Sequence, residues 1–248
     1  MYVEGLWRYP VKSMQGEKLD EAVVTVGGFA GDRIYALLDV ETGYIVSAKN
    51  PKHWADLLKM RPTIQNGLCI HLPDGSVIME RDIESELSKY LGRRVRLLSK
   101  AEGRIQYLGY WPRIEGLVGR GEYELGETMA DSFYDASPIH IIIDKSLHDI
   151  VGVNRHAVKR FRPNIIIKTD GNITEADLVG HELEIGEVVL RVSRRTKRCI
   201  ITTMAQPHLD EDLGILRAIY ARHGGYLGVY ASVLKEGRVR VGDQARII

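Results

Sequence analysis

Turn-forming clusters recur along this chain about every 8 to 12 residues, and that rhythm leaves room for little except short strands. Val3 to Tyr9 reads as a strand stopped at Pro10, and Leu19 to Val26 as a second. Arg33 to Asp39 and Tyr44 to Ala48 flank Glu41-Thr42-Gly43, while Leu68 to Leu72 and Ser76 to Glu80 flank Pro73-Asp74-Gly75, a strong hairpin signal. Val95 to Leu98, Ile139 to Ile143, Ile165 to Ile167, Val188 to Val192, Tyr226 to Val233 and Arg238 to Val241 continue the series, with a turn at residues 184–187. Helical spacing is confined to Ile83–Leu91, stopped by Gly92, to Asp144–Ile150, capped by Asp144 or Ser146, to a turn over Asn154–Arg160, and to Leu213, Leu216, Ile219 and Tyr220, stopped by Gly224-Gly225. The expected fold is mainly β, a β-barrel with short helices. Between Glu102 and Ala130 the pattern weakens into glycines (103, 109, 116, 119, 121 and 126) among Tyr107, Tyr110 and Trp111. That segment reads as a connection between two domains or a flap beside a pocket.

The charge balance removes several function classes. Thirty-four Lys and Arg against 33 Asp and Glu give a net charge of +1, so no bulk electrostatic case exists for nucleic acid or a membrane surface. No apolar run approaches the roughly 20 residues of a membrane helix, and no signal-peptide pattern opens the chain, so a cytoplasmic location is expected. Two cysteines, Cys69 and Cys199, cannot build a disulfide framework or a four-cysteine iron–sulfur site. Cys69 lies in an apolar hairpin without cations and reads as structural. The eight histidines form neither His-Glu-x-x-His nor His-x-His.

Cationic charge is instead concentrated in one place. Arg191, Arg194, Arg195, Lys197 and Arg198 put five cations in eight residues, directly before Cys199. The alternation upstream delivers Cys199 to a loop at a strand end, with the hydroxyls of Thr202 and Thr203 beyond it. Fixed positive charge favours the thiolate, the form that attacks, carries sulfur or binds a soft metal. An inert buried cysteine beside a solvated charged edge fits the same residue types, and they leave both readings open.

Other anion-binding groups are scattered. Lys12 and Ser13 offer an ammonium and a hydroxyl in a turn after Pro10. Gly27, Gly28 and Gly31 precede Asp32 and Arg33 in a turn able to form an anion nest, though without the Gly-Lys-Ser/Thr of a P-loop. Arg162 and Asn164 flank Pro163 at the mouth of a three-isoleucine strand. Each is equally an ordinary turn or strand start when taken alone.

Three phrases together resemble the MOSC domain family (molybdenum cofactor sulfurase C-terminal domain): Leu6-Trp7-Arg8-Tyr9-Pro10-Val11-Lys12-Ser13, Arg160-Phe161-Arg162-Pro163-Asn164-Ile165, and Arg198-Cys199-Ile200-Ile201-Thr202-Thr203. Gly31-Asp32-Arg33 and Asp135-Ala136-Ser137-Pro138 are similar to shorter family segments. The resemblance implies an N-terminal MOSC-associated barrel-like domain at 1–100, a connecting segment at 101–130 and a MOSC domain at 131–248. It also implies a site for the molybdenum cofactor, Mo-molybdopterin. Lys12, Ser13, Arg33, Ser137, Arg162, Asn164 and Arg198 would hold it, and Cys199 would be both metal ligand and catalytic thiol. Two positions depart from the family. Lys49 stands where it has an Arg, keeping charge but losing forked bonding, and Met204-Ala205-Gln206-Pro207 replaces an Asp-Pro, with Asp210 and Asp212 nearby.

The resemblance further implies an oxidoreductase of the amidoxime-reducing kind. It would act on small N-hydroxylated compounds with electrons from a separate electron-transfer protein, since the chain ends at Ile248 after its last strand, without a fused iron–sulfur domain. No pyridoxal phosphate is expected, and neither nucleic acid nor membrane is an expected partner. Two other readings stand beside this one. The chain could be a carrier of the cofactor, or of sulfur as a Cys199 persulfide, serving a cofactor-biosynthesis partner. It could also be a barrel for another phosphate ligand.

Overall fold

A computed structural model describes residues 1–99, 101, 103–111, 121–152 and 154–248. Its centre is an eight-stranded sheet. In spatial order the strands are Ala245–Ile247, Glu182–Ile185, Val188–Lys197, Tyr226–Lys235, Ile139–Ile143, Ile165–Lys168, Tyr2–Arg8 and Glu17–Leu19. The sheet curls: Met1 O accepts from Ala245 N, and Val3 exchanges backbone bonds with Gly242 and Asp243, each at 2.9 Å. A smaller sheet of Gly237–Arg240, Glu21–Thr25 and Gly28–Phe29 contributes to the same core. The mainly β, barrel-like architecture with short helices is therefore present.

The isoleucine runs follow from their place in the sheet. Ile139–Ile143 and Ile165–Lys168 are its parallel pair, and both of their faces are covered. Ile141, Ile143, Ile165 and Ile167 pack into the barrel core with Val3, Leu6, Leu190 and Val229. Ile142 and Ile166 point the other way, against Phe161, Leu216 and Ile219 beneath the helix Leu213–His223. Each such side chain contributes about 1.5–3 kcal/mol by leaving water. A separate core gathers Val11, Met14, Leu37, Trp54, Leu68 and Leu87. Between the two cores, Ala48 and Leu58 meet Ile200, Ile201 and Met204, with Cys199 at the edge of that contact.

Local signals placed several elements correctly. The helix Ile83–Leu91 ends at Gly92, whose φ of 65° is the left-handed conformation that glycine adopts at low cost. The hairpin Leu68–His71 with Val77–Met79 forms around Pro73-Asp74-Gly75, and Cys69 sits within it, its Sγ 3.7 Å from Met79 Sδ.

Other expectations are corrected. Leu19 to Val26 is two strands, Glu17–Leu19 and Glu21–Thr25, which pair in different sheets. Tyr44 to Ala48 is not a strand; Ile45 alone makes an isolated bridge, to Leu38. Residues 184–187 are not all turn, because Glu182–Ile185 pairs with Val188–Arg191. The helix Asp144–Val151 has Ile143 at its N-cap and no side-chain cap. The segment after residue 102 contains a hairpin, Gln106–Trp111 with Glu122–Glu127. Gly116 and Gly119, within 112–120, and Glu102 lie outside the described residues.

Candidate functional site

The long strand Val188–Lys197 alternates as far as Val192, breaks register over Ser193–Arg195, and ends with Thr196 and Arg198 buried and Lys197 exposed at the cavity edge. Cys199 follows in extended conformation, and the chain then tightens into the 3-10 turn Ile200–Thr203. The hydroxyl of Thr202 donates to Cys199 O at 2.9 Å and that of Thr203 to Ile200 O at 2.8 Å. Arg160, buried behind the turn, donates to the carbonyls of Thr202 (3.3 Å), Met204 (2.9 Å) and Asp210. One guanidinium thus clamps the loop that positions Cys199.

Cys199 opens onto a cavity of about 260 Å³, which Lys12, Ser13, Arg33, Ser137, Arg162 and Arg198 also line. These residues come from sequence positions up to 187 apart and meet at the seam between the two cores. Asn164 does not line the cavity. It is fully buried behind the wall, where Nδ2 donates to Asp32 Oδ2 (3.0 Å) and Trp7 O (3.2 Å) and Oδ1 accepts from His140 N (3.1 Å). Ser137 Oγ donates to Ala231 O at 2.6 Å. Ser13 Oγ accepts from Ala48 N at 3.0 Å.

Three of these residues carry backbone strain. Ser13, Arg33 and Arg162 have φ of 66°, 50° and 54°, and they are three of the five non-glycine residues with positive φ among the described residues. Each costs about 1 kcal/mol or more. Residues in such conformations persist where the surroundings fix them, and here they aim one hydroxyl and two guanidinium groups at a common space.

The electrostatics are lopsided. Lys12, Arg33, Lys49, Arg162 and Arg198 face one another with Asp32 and Asp135 between them, and the exposed Glu124 also lines the cavity. Asp32 pairs with Arg33 and accepts from Tyr9 N at 2.6 Å. Asp135, about a third (34%) of whose side chain is open, bridges Lys12 and Lys49, the latter at 2.9 Å. Burial alone would raise its carboxyl, but the two ammonium groups overcome that and hold it well below the usual carboxylate range. Burial also opposes the charge on Lys49, yet Asp135, Cys199 and the Tyr107 hydroxyl it donates to at 2.8 Å raise it above the ordinary lysine value. Lys12 is lowered, because burial outweighs its share of Asp135.

Arg162 and Arg198 have no carboxylate partner among the described residues. Arg162 donates to Met14 O and lies 4.4 Å from the Tyr9 ring centroid. Burial first, then the nearby Arg33, lowers it to about 10. Arg198, 8% exposed, donates to Phe161 O at 2.8 Å, and its Nε is buried with no partner. Burial lowers it too. His140 is pushed well below 6.5 by burial and by Arg198. Its neutral ring fits one tautomer, in which Nδ1–H donates to Arg162 O (3.2 Å) and Nε2 accepts from Arg198 (3.4 Å). Buried cations in excess, one with an orphaned N–H, have the chemistry that suits a compact anion.

Lys49, Asp135, His140, Tyr107 and Tyr230 line this cavity without having been read as site residues. The sequence flagged Lys49 and Asp135 only as parts of family-like phrases. Tyr107 stood in the glycine-aromatic segment read as a connection or a flap, whereas Tyr230 and His140 carry no local signal. Asp210 and Asp212 do not line the cavity; Asp212 caps the helix Leu213–His223 through Gly214 N at 2.8 Å.

Comparison with known proteins places the chain in a family. The MOSC N-terminal beta barrel domain profile matches residues 1–100, and the MOSC domain profile matches residues 129–246. The chain belongs to the MOSC family. It is similar to mitochondrial amidoxime reducing component 2 of Macaca fascicularis, at 27% identity over 97% of this chain and 82% of that protein. It is also similar to mitochondrial amidoxime-reducing component 1 of Mus musculus, at 24% identity over 99% and 82%. Among solved structures, the YUAD protein from Bacillus subtilis aligns with a TM-score of 0.49 and 14% identity, covering 98% of this chain and 93% of that one. No helix among the described residues is long and apolar enough to cross a membrane.

Proposed function

We propose that this chain holds the molybdenum cofactor in the cavity, with the Cys199 sulfur as its protein ligand. In this reading it reduces small N-hydroxylated compounds with electrons from a separate carrier protein. The observation that carries the proposal is the convergence of a thiol with buried cations that outnumber their carboxylates. The donor set fits the group. Its terminal phosphate is a compact dianion, and Lys12, Ser13, Arg33, Arg162 and Arg198 offer charge and N–H or O–H donors around one space. Asn164 and Asp32 support Arg33 from behind. No group of three or more His, Cys, Asp or Glu side chains among the described residues could hold a metal. In this reading a metal at Cys199 takes its other ligands from the organic cofactor and from small oxygen ligands, and thiolate suits a soft-ligand metal.

The cofactor when bound supplies two-electron redox chemistry. The chain's own residues do the rest. Arg198 and Arg162 hold the anion, the Arg160 clamp fixes the loop that aims Cys199, and Tyr107 and Trp111 wall the approach. The proposed division of the chain serves the same purpose. Residues 1–100 contribute Lys12, Ser13, Arg33 and Lys49, residues 101–130 the hairpin, and residues 131–248 the arginines and Cys199. A cytoplasmic location belongs to this proposal as well.

The test is molybdenum per chain, by elemental analysis, on wild type and Cys199→Ser from a cofactor-competent host. Near-stoichiometric metal that is lost in the variant, together with reduction of an amidoxime by an artificial donor, is the expected result. Metal retained equally by both sinks the ligand assignment. Metal without turnover, or a persulfide on Cys199 without metal, would move the reading to a carrier.

A further inference from the structure

We propose that the exposed cationic edge formed by Arg194, Arg195 and Lys197 is the docking surface for a small acidic one-electron carrier protein; the proposal rests on the reductase reading. The strand Val188–Lys197 has partners on both sides only as far as Val192, which exchanges backbone bonds with His181 O and Gly180 N. Beyond it, Arg194 and Lys197 are exposed and Arg195 half-buried. None of the three meets a carboxylate among the described residues, whereas Arg191 pairs with Glu182. With a net charge of +1 over the chain, this is local charge left uncompensated among the described residues.

What the three cations rest on gives the patch its direction. The guanidinium of Arg194 lies 5.8 Å from the Tyr230 ring centroid, and the ammonium of Lys197 lies 5.3 Å from that of Trp111. Both rings also line the cavity. Arg195 lies 4.8 Å from the Tyr226 ring and donates to His223 O at 3.0 Å. On its inner side Tyr230 contacts the His140 ring, centroids 5.6 Å apart, and His140 meets Arg198, the neighbour of Cys199. The cationic surface and the cavity thus share aromatic side chains as a common wall. A protein held on the patch stands directly outside the redox site. Cations laid on ring faces are also partly ordered beforehand, which lowers the cost of docking.

The reaction calls for such a surface. Reducing R–NHOH to R–NH2 breaks the N–O bond, releases water and consumes two electrons and two protons. A one-electron carrier must therefore dock and leave twice per turnover. Brief encounters of that kind are steered by complementary charge. Guarding an exposed strand edge against unwanted pairing also accounts for charge at these positions, but it requires neither the stacking on cavity-wall rings nor any preference for an acidic partner.

The experiment compares wild type with Arg194→Glu/Arg195→Glu, and with Arg194→Gln/Arg195→Gln in case charge reversal impairs folding. The probe is a plant-type [2Fe–2S] ferredoxin, an acidic one-electron carrier. Binding is measured by calorimetry at low and high salt, and amidoxime reduction is driven by the ferredoxin or by reduced methyl viologen. The expected result is salt-sensitive binding by the wild type, weakened about tenfold or more by reversal and less by neutralisation. Ferredoxin-driven turnover falls in parallel while viologen-driven turnover is unchanged. Equal binding by wild type and variants, or binding insensitive to salt, overturns the docking face. If the wild type does not turn over even with viologen, the reductase reading has failed, and the binding comparison still decides the surface.

Discussion

Replacing Asp32 with Asn is the sharpest probe of how the cationic cluster is assembled. The Asp32 side chain is fully buried. It accepts from three donors: Tyr9 N at Oδ1 (2.6 Å), and Asn164 Nδ2 (3.0 Å) and Arg33 at Oδ2. An asparagine cannot satisfy them. With its amide nitrogen at the Oδ2 position it faces Asn164 and Arg33, both donors; turned over, it faces the Tyr9 N–H. Either orientation sets donors against each other in a buried place and leaves Arg33 without its counter-charge, close to Arg162. Removing one partner of a buried ion pair costs about 3–5 kcal/mol. For a chain of this size each kcal/mol moves the melting midpoint by about 2–4 °C, so a fall of about 10 °C is expected by calorimetry or circular dichroism. Inorganic phosphate should stabilise the variant at least as much as the wild type, because a bound dianion supplies the missing negative charge beside Arg33. A loss under about 1 kcal/mol, or phosphate stabilising the wild type alone, would refute the view that Asp32 is the counter-ion organising this cluster.

Two further outcomes follow from the same geometry. Arg160→Lys keeps the charge but cannot span the carbonyls of Thr202, Met204 and Asp210; a loss of about 2–4 kcal/mol in denaturant unfolding is expected, with faster alkylation of Cys199 as its loop loosens. Asp135 has a folded pKa held below its unfolded value by Lys12 and Lys49, so its contribution is full above the unfolded value of about 3.9 and is lost as pH falls below it toward the folded value. Asp135→Asn should accordingly flatten the acid limb of a stability–pH curve below about pH 4, and an unchanged acid limb would contradict the bridge.

Much of the fold could be read locally. The helix Ile83–Leu91 with its Gly92 stop, the hairpin at Pro73-Asp74-Gly75 and the isoleucine strands are encoded by neighbours in sequence. The hairpin Gln106–Trp111 with Glu122–Glu127 was missed although Tyr123 and Leu125 alternate with Glu122 and Glu124, because that strand is short, mostly exposed and set among the glycines of its segment. Tyr44 to Ala48 reads as a strand after the Glu41-Thr42-Gly43 turn, yet only Ile45 finds a bridge partner there. The site shows the same split. Cys199, Arg198 and Lys12 stood out by residue type and phrase, whereas His140 and Tyr230 lie on strands read only as core.

By itself the sequence determined the β-rich architecture, the family, and the thiol at the end of a basic strand. Those features depend on short-range periodicity, on turn residues and on phrases only a few residues long. The tertiary structure decided which charges matter. Of the five cations before Cys199, Arg198 alone is buried at the cavity, Lys197 only edges it, and Arg194 and Arg195 do not line it. Lys12, Arg33, Lys49, Asp135 and Arg162 reach that cavity from distant parts of the chain. Whether a charge is solvated, paired, or buried and waiting for a ligand depends on desolvation and on neighbours brought close by folding, and neither is written in the residues beside it.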